Sequence, residues 1–414
     1  MLSSSRLLLT RGVGIFILAF AFISNSAFGL TPQKKKKAAP HAAAAKAVPK
    51  KSLVAAKKAP ARATVRNVSA GHLAASKRPV HARRVTRGPW KEPTYADSTI
   101  GDNIDGEDLV VRRAAVEALG PLNGTVAVVD PTTGRILTLV NQKLAFKSGF
   151  QPCSTIKVVA ALGALSESVV DRTTPVFLTR RKKMDLTEAL ARSNNPYFAR
   201  LGEQLGFERV NYYAHLFGLG EKAGLDIAEE QPGTVPLSTP EAGMGMMTSF
   251  GSGIYLTPLQ LAALMSAIAN GGTLYYLQHP RSAKEAEELV PRVKRQLDIQ
   301  ALIPEIKPGM MGAVEFGTAR RAGYDQNEPI YGKTGTCTDT RSPTHLGWFG
   351  SFNDTGKRKL VVVTLLTGGK PISGPVASGV AGKIYKTLSA QNYFLQAATY
   401  SPATLVTAQS CCSR

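Results

Sequence analysis

From residue 92 onward the hydrophobic positions fall into short runs divided by turn chemistry. Thr125 to Val129 and Arg135 to Val140 are rich in β-branched and apolar residues. They flank Asp130-Pro131-Thr132-Thr133-Gly134, a turn composition, and so predict a hairpin. Further strands are predicted over Ile330 to Cys337, His345 to Phe352 and Leu360 to Leu366. Between these ends the period lengthens to that of a helix. One helix is expected from near Ser154 to about Ser168, and helical spacing recurs over Asp185 to Leu205 and Arg209 to Phe217. Thr257-Pro258-Leu259-Gln260 opens another, with a capping Thr, Pro at the first helical position and Gln at the third, and Asn270-Gly271-Gly272 closes it. A last helix fits Pro375 to Leu388. Strands at both ends with helices between them predict an α+β fold: a mostly antiparallel sheet flanked by helices, with a helical subdomain inserted.

The first ninety residues differ in kind. Arg6 and Arg11 precede the uncharged run Gly12 to Ile23, and Ala27-Phe28-Gly29 offers small residues for cleavage. Residues 1–30 are thus expected to be an export signal or an N-terminal anchor, the apolar run being shorter than the roughly 20 residues of a spanning helix. Residues 31–91 hold 17 Lys or Arg and no acidic residue, in a background of Ala and Pro, and predict a disordered linker. The expected organisation is signal or anchor 1–30, basic linker 31–91, one folded domain 92–400 and a C-terminal tail 401–414. Net charge is +22, but from Glu92 onward 32 basic residues face 29 acidic ones. The charge therefore belongs to the leading segment, and a nucleic-acid partner is not expected. That segment reads either as a solvated spacer or as an adhesive for anionic wall polymer or a membrane surface. In an exported chain, Cys153, Cys337, Cys411 and Cys412 would sit where disulfides form. Three of the six histidines lie in the linker and none has ligand spacing, so neither metal nor cofactor is expected, and His345 is expected to be structural.

Lys157 is the one charge in the run Ile156 to Leu165, which has no polar face and should form a buried helix. A buried ammonium is either paired or pushed towards its neutral form, in which it is a base. Ser154 lies three residues earlier, on the same helix face and at the helix N-terminus, where backbone N–H groups can hold an oxyanion. No other lysine in the chain has a serine at that spacing. A weak nucleophile beside a base suits acyl transfer, although a core ion pair and a simple helix cap would produce the same residues. Two further motifs decide between these: Ser193-Asn194-Asn195 after a helical stretch, and Lys333-Thr334-Gly335-Thr336 on a predicted strand. In this order the three form the signature of penicillin-binding proteins and class A β-lactamases.

The chain resembles the transpeptidase domain of class B penicillin-binding proteins well beyond these motifs. The likeness extends over Leu186-Thr187-Glu188-Ala189-Leu190, Leu205-Gly206, Gly251-Ser252-Gly253 and Thr257 to Gly272. It continues in Glu315-Phe316-Gly317-Thr318-Ala319, Gly332 to Thr336 and Trp348-Phe349-Gly350, and spans roughly residues 105–398. The family usually has Gln where Ser252 stands, and a large pedestal domain where this chain has its basic segment. The resemblance implies that Ser154 attacks the carbonyl between two D-alanines of a peptidoglycan stem peptide, or the β-lactam that mimics it, and that Lys157 takes its proton. Ser193 would relay that proton to the leaving amine and Asn195 would hold the substrate amide. Lys333, Thr334 and Thr336, with Gly335 among them, would bind the substrate carboxylate, and the backbone N–H groups of Ser154 and Thr336 would form the oxyanion hole. A disulfide between Cys153 and Cys337 is also implied, because the family fold brings the residue before the serine against the residue after the lysine motif. Some class A carbapenem-hydrolysing β-lactamases carry such a bridge. The glutamate and asparagine four residues apart with which class A β-lactamases activate water have no counterpart between Asn195 and Lys333. Transpeptidation is therefore the expected activity. The alternatives are a D,D-carboxypeptidase or β-lactamase of the same fold, and a non-catalytic β-lactam sensor or wall-binding module.

Overall fold

The computed structural model describes residues 90–396. Asp108 accepts from the Val110 and Val111 amides and so caps α1 (Leu109–Leu119). The expected hairpin follows as β1 (Gly124–Val129) and β2 (Ile136–Val140). After one turn, α2 (Gln142–Ala145), the chain enters a 3₁₀ turn (Cys153–Ile156) that runs into α3 (Lys157–Ser166). A small ribbon of β3 (Val176–Phe177) and β4 (Lys183–Met184) leads to α4 (Leu186–Ala191) and α5 (Asn195–Leu216). Next come α6 (Gly243–Phe250), α7 (Pro258–Asn270), a second ribbon of β5 (Thr273–Tyr275) and β6 (Val293–Gln296) around α8 (Ala283–Glu287), and α9 (Ile303–Glu315). The strands β7 (Ile330–Thr338), β8 (His345–Asn353) and β9 (Val361–Gly368), then α10 (Gly374–Ala390), complete the fold.

The first hairpin and the last three strands join in one antiparallel sheet of order β2-β1-β9-β8-β7. Alternation along the strands divides the core in two. Ala127, Val129, Trp348, Val363 and Leu365 pack with α3 and α7, whereas Val126, Val128, Phe349, Val362 and Leu366 pack with α1 and α10. Because both faces are covered, β9 is buried along its whole length, Thr364 and Thr367 included. The α7 cap is as expected: Thr257 Oγ1 accepts from the Gln260 amide, Gln260 Oε1 accepts from the Thr257 amide, and Gly271 closes the helix at φ +96°. β7 lies at the sheet edge, so every second residue of it turns its backbone N–H and C=O away from β8.

The helical run expected over Asp185 to Leu205 is broken. Ser193 takes the left-handed conformation at φ +55°, and Asn194 starts α5 afresh by accepting from the Tyr197 amide at 2.9 Å. α5 then passes through Gly206, at φ +73° and ψ +170°, where the helical spacing lapsed between the two expected segments. The helices α1, α2, α6, α8 and α9 and the ribbons β3–β4 and β5–β6 were not expected. The predicted signal or anchor 1–30, the linker up to residue 89 and the tail 401–414, with Cys411 and Cys412, lie outside the described residues. Trp90 and Lys91, at the end of the expected linker, touch the fold: the Trp90 ring lies 4.4 Å from the His345 ring, and the Lys91 amide donates to Pro343 O. Among the described residues no helix is long and apolar enough to cross a membrane.

Candidate active site

The candidate nucleophile sits on a backbone turn that is held from three sides. Cys153 adopts φ +51°, a conformation costly for a non-glycine residue, and its Sγ is bonded to Cys337 on β7, with the two Cα atoms 5.6 Å apart. Trp348 on β8 donates its indole N–H to Gln151 O at 2.9 Å. Gly335 lets β7 come close, since a Cβ there would stand 2.9 Å from Pro152 O and 3.2 Å from Cys153 Cβ. The Thr155 hydroxyl donates back to Pro152 O at 2.7 Å and tightens the turn. Ser154 follows with only 9 % of its surface exposed.

Lys157, one turn on, is entirely buried, as the apolar run around it required. Its Nζ lies 2.7 Å from Ser154 Oγ, 2.7 Å from Asn195 Oδ1 and 2.8 Å from the Ser249 carbonyl oxygen. None of these partners is a carboxylate, and the rings of Phe198 and Phe250 stand 5.7 Å away. Burial, and then the charge of Lys333, push Lys157 down from an ordinary 10.5 to about 6. Burial likewise pushes Lys333 down to about 7. At neutral pH an amine at Lys157 has two N–H groups and one lone pair. Asn195 Oδ1 and the Ser249 carbonyl can only accept, so they take the two N–H groups and the lone pair is left facing the Ser154 hydroxyl. A base aimed at a serine is the chemistry that results.

The structure thus brings Ser154, Lys157 and Asn195 into direct contact, with Lys333 coupled to Lys157 through its charge. Ser193, half-buried, stands two residues before Asn195 in the break between α4 and α5. On β7 the residues alternate. Gly335 and Cys337 face the nucleophile turn, and Lys333 shares their parity, whereas Thr334 and Thr336 lie on the other face. There the Thr334 hydroxyl meets the Thr318 hydroxyl at 2.6 Å, and the Thr336 hydroxyl accepts from the Gly374 amide at the start of α10. Sequence reasoning missed the Ser249 carbonyl, a backbone group with no signature of its own. It also gave no role to Trp348 or Thr318, although both lie in runs that carried the resemblance. Among the described residues no cluster of His, Cys, Asp and Glu could hold a metal ion.

The family model described as the penicillin binding protein transpeptidase domain matches residues 124–389. The chain is 28 % identical over 309 residues to Stage V sporulation protein D of Bacillus subtilis, covering 65 % of this chain and 48 % of that protein. It is 25 % identical over 379 residues to Peptidoglycan D,D-transpeptidase MrdA of Haemophilus influenzae, covering 72 % and 58 %. The chain spans about half the length of the curated relatives it matches. Among solved structures, Pseudomonas aeruginosa PBP2 in complex with WCK 5153 superposes with a TM-score of 0.56 at 23 % identity, over 69 % of this chain and 77 % of that one. The D,D-transpeptidase domain of a peptidoglycan glycosyltransferase from Eggerthella lenta gives 0.56 at 20 % identity, over 69 % and 82 %.

Proposed function

The chain belongs to the penicillin-binding protein transpeptidase domain family, and from that membership we propose that it is a peptidoglycan D,D-transpeptidase working through an acyl-enzyme on Ser154. One observation carries the reading: a buried amine at Lys157 whose neutral acceptors leave its lone pair for the Ser154 hydroxyl. Ser154 Oγ attacks the carbonyl between the two D-alanines of a stem peptide while its proton passes to Lys157. The oxyanion that forms takes hydrogen bonds from the Ser154 and Thr336 backbone N–H groups. The C–N bond then breaks, the proton held by Lys157 passes through the Ser193 hydroxyl to the departing D-alanine amine, and the ester remains on Ser154. An amine from a second stem peptide attacks that ester, forms the cross-link and returns the proton to the serine. Lys333, Thr334 and Thr336 hold the terminal carboxylate, and the Asn195 amide, whose oxygen serves Lys157, keeps its N–H₂ for the substrate. The apolar run that follows Arg6 and Arg11 and the acid-free stretch 31–91 support an enzyme exported to the periplasm or anchored at the outer face of the cytoplasmic membrane, its basic segment lying on anionic wall polymer or lipid, with cell fractionation as the check.

A β-lactamase reading has one feature in its favour, the Cys153–Cys337 bridge beside the nucleophile. Intact-protein mass spectrometry with penicillin over time separates the readings. The expected result is one long-lived adduct, absent in Ser154→Ala, and a cross-linked product when a D-Ala-D-Ala peptide and an acceptor amine are supplied together. Labelling that survives in Ser154→Ala sinks the assignment, and rapid loss of the adduct moves the chain among the β-lactamases.

A further inference from the structure

Thr318 lies in none of the three signature motifs, yet it ties one of them to the helix that leads into another. Its backbone N–H donates to Ala191 O at 3.2 Å, the last residue of α4 and two before Ser193. Its hydroxyl lies 2.6 Å from that of Thr334, the residue after Lys333. The approach is made possible by Gly317, where a Cβ would stand 2.1 Å from Ala191 O. Segments more than 100 residues apart in sequence are thus tied through one residue at the end of α9.

The hydrogen-bond inventory says what the side chain adds. A hydroxyl has one proton to donate and lone pairs to accept. At Thr336 the donor is unambiguous: the Gly374 amide donates to Oγ1 at 2.7 Å, so that hydroxyl's proton is free to turn to an anion. Among the described residues Thr334 has no backbone amide in the corresponding role, and the group against its oxygen is the Thr318 hydroxyl. If Thr318 donates, Thr334 is left in the same state as Thr336, accepting from behind and donating forward.

We propose that Thr318 is a positioning residue for substrate carboxylate recognition. It donates its hydroxyl proton to Thr334 Oγ1, so that the Thr334 O–H is directed to the carboxylate. The inference rests on the transpeptidase reading above. It assigns Thr318 no contact with the reacting atoms; its effect reaches the substrate through Thr334.

The test resolves acylation by penicillin into a half-saturating concentration and a first-order constant at saturation. Thr318→Val keeps the shape and removes the hydroxyl. It is expected to raise the half-saturating concentration roughly tenfold, the effect of one hydrogen bond to a charged group, and to leave the first-order constant unchanged. Thr318→Ser is expected to restore wild-type binding. With the penicillin methyl ester, which lacks the negative charge, Thr318→Val should bind as wild type does. In a Thr334→Val background, Thr318→Val should add nothing. Thr318→Ala provides the same comparison should the valine variant not fold. Equal losses for acid and ester, or no loss for either, overturn the proposal while wild-type acylation leaves the functional reading standing. A wild-type chain that penicillin does not acylate overturns both.

Discussion

Replacing Lys333 by Gln should move the pH at which the serine becomes reactive, and the structure bounds by how much. Lys157 must be neutral to accept the Ser154 proton, and burial together with the Lys333 charge brings it from 10.5 to about 6. Lys333 must be charged to hold a carboxylate, and burial brings it to about 7. Wild-type acylation should therefore rise with pH through about 6 and fall above about 7, each limb belonging to the interacting pair. In Lys333→Gln the alkaline limb disappears. The acid limb moves up, because removal of a neighbouring positive charge lets Lys157 keep its proton to higher pH. Burial is the larger of the two causes, so the rise is less than half of the fall from 10.5 to 6, that is, under about 2 pH units. The measurement is acylation by a fluorescent penicillin across the acid to mildly alkaline range: the first-order constant at saturation reads the acid limb free of weaker carboxylate binding, and the second-order constant at low penicillin reads the alkaline limb. An acid limb that stays in place or moves down refutes the coupling. A wild-type acid limb in the ordinary lysine range refutes the neutral base itself.

Lys157→Arg should abolish acylation near neutral pH, because a guanidinium keeps its charge and cannot take the serine proton; acylation at the wild-type rate in a time-resolved labelling assay would show that another base serves. Replacing Cys153 and Cys337 together by Ala opens a bridge with a sequence separation of 184, and denaturant unfolding should show a loss of up to about 5 kcal/mol. An unchanged midpoint would mean that the unfolded chain is not constrained by the bridge.

How far the fold could be read from sequence depended on what each segment packs against. The hairpin, β8 and β9 were legible because turn residues separate runs that are buried nearly throughout. α9 was not, since Pro308 interrupts its signal and Gly309 and Gly312 weaken it further. Those glycines serve contact: a Cβ at Gly309 would lie 2.7 Å from Leu190 Cβ, on the helix that leads to Ser193. α6 likewise carries glycines and no polar face. α1 hides its period in a different way, because Arg112 points inward. There it pairs with Asp102 at 2.7 Å and Glu107 at 3.4 Å, so a core position reads as a surface one.

The candidate site was legible as side chains and illegible as directions. Serine three residues before a lone buried lysine is a statement about two groups on one helix face; what aims the lysine at the serine is a pair of acceptors, one of them the Ser249 carbonyl, that no residue type announces. The lysine-threonine-glycine strand presents the opposite case. A period of two already requires Lys333 and Gly335 to share one face and Thr334 and Thr336 the other, as the contacts of Gly335 and Thr336 bear out. A carboxylate that meets the lysine and both hydroxyls must then lie along the strand's open side, within reach of both faces. That arrangement requires β7 to be an edge strand, and its place at the end of the order β2-β1-β9-β8-β7 supplies the open side.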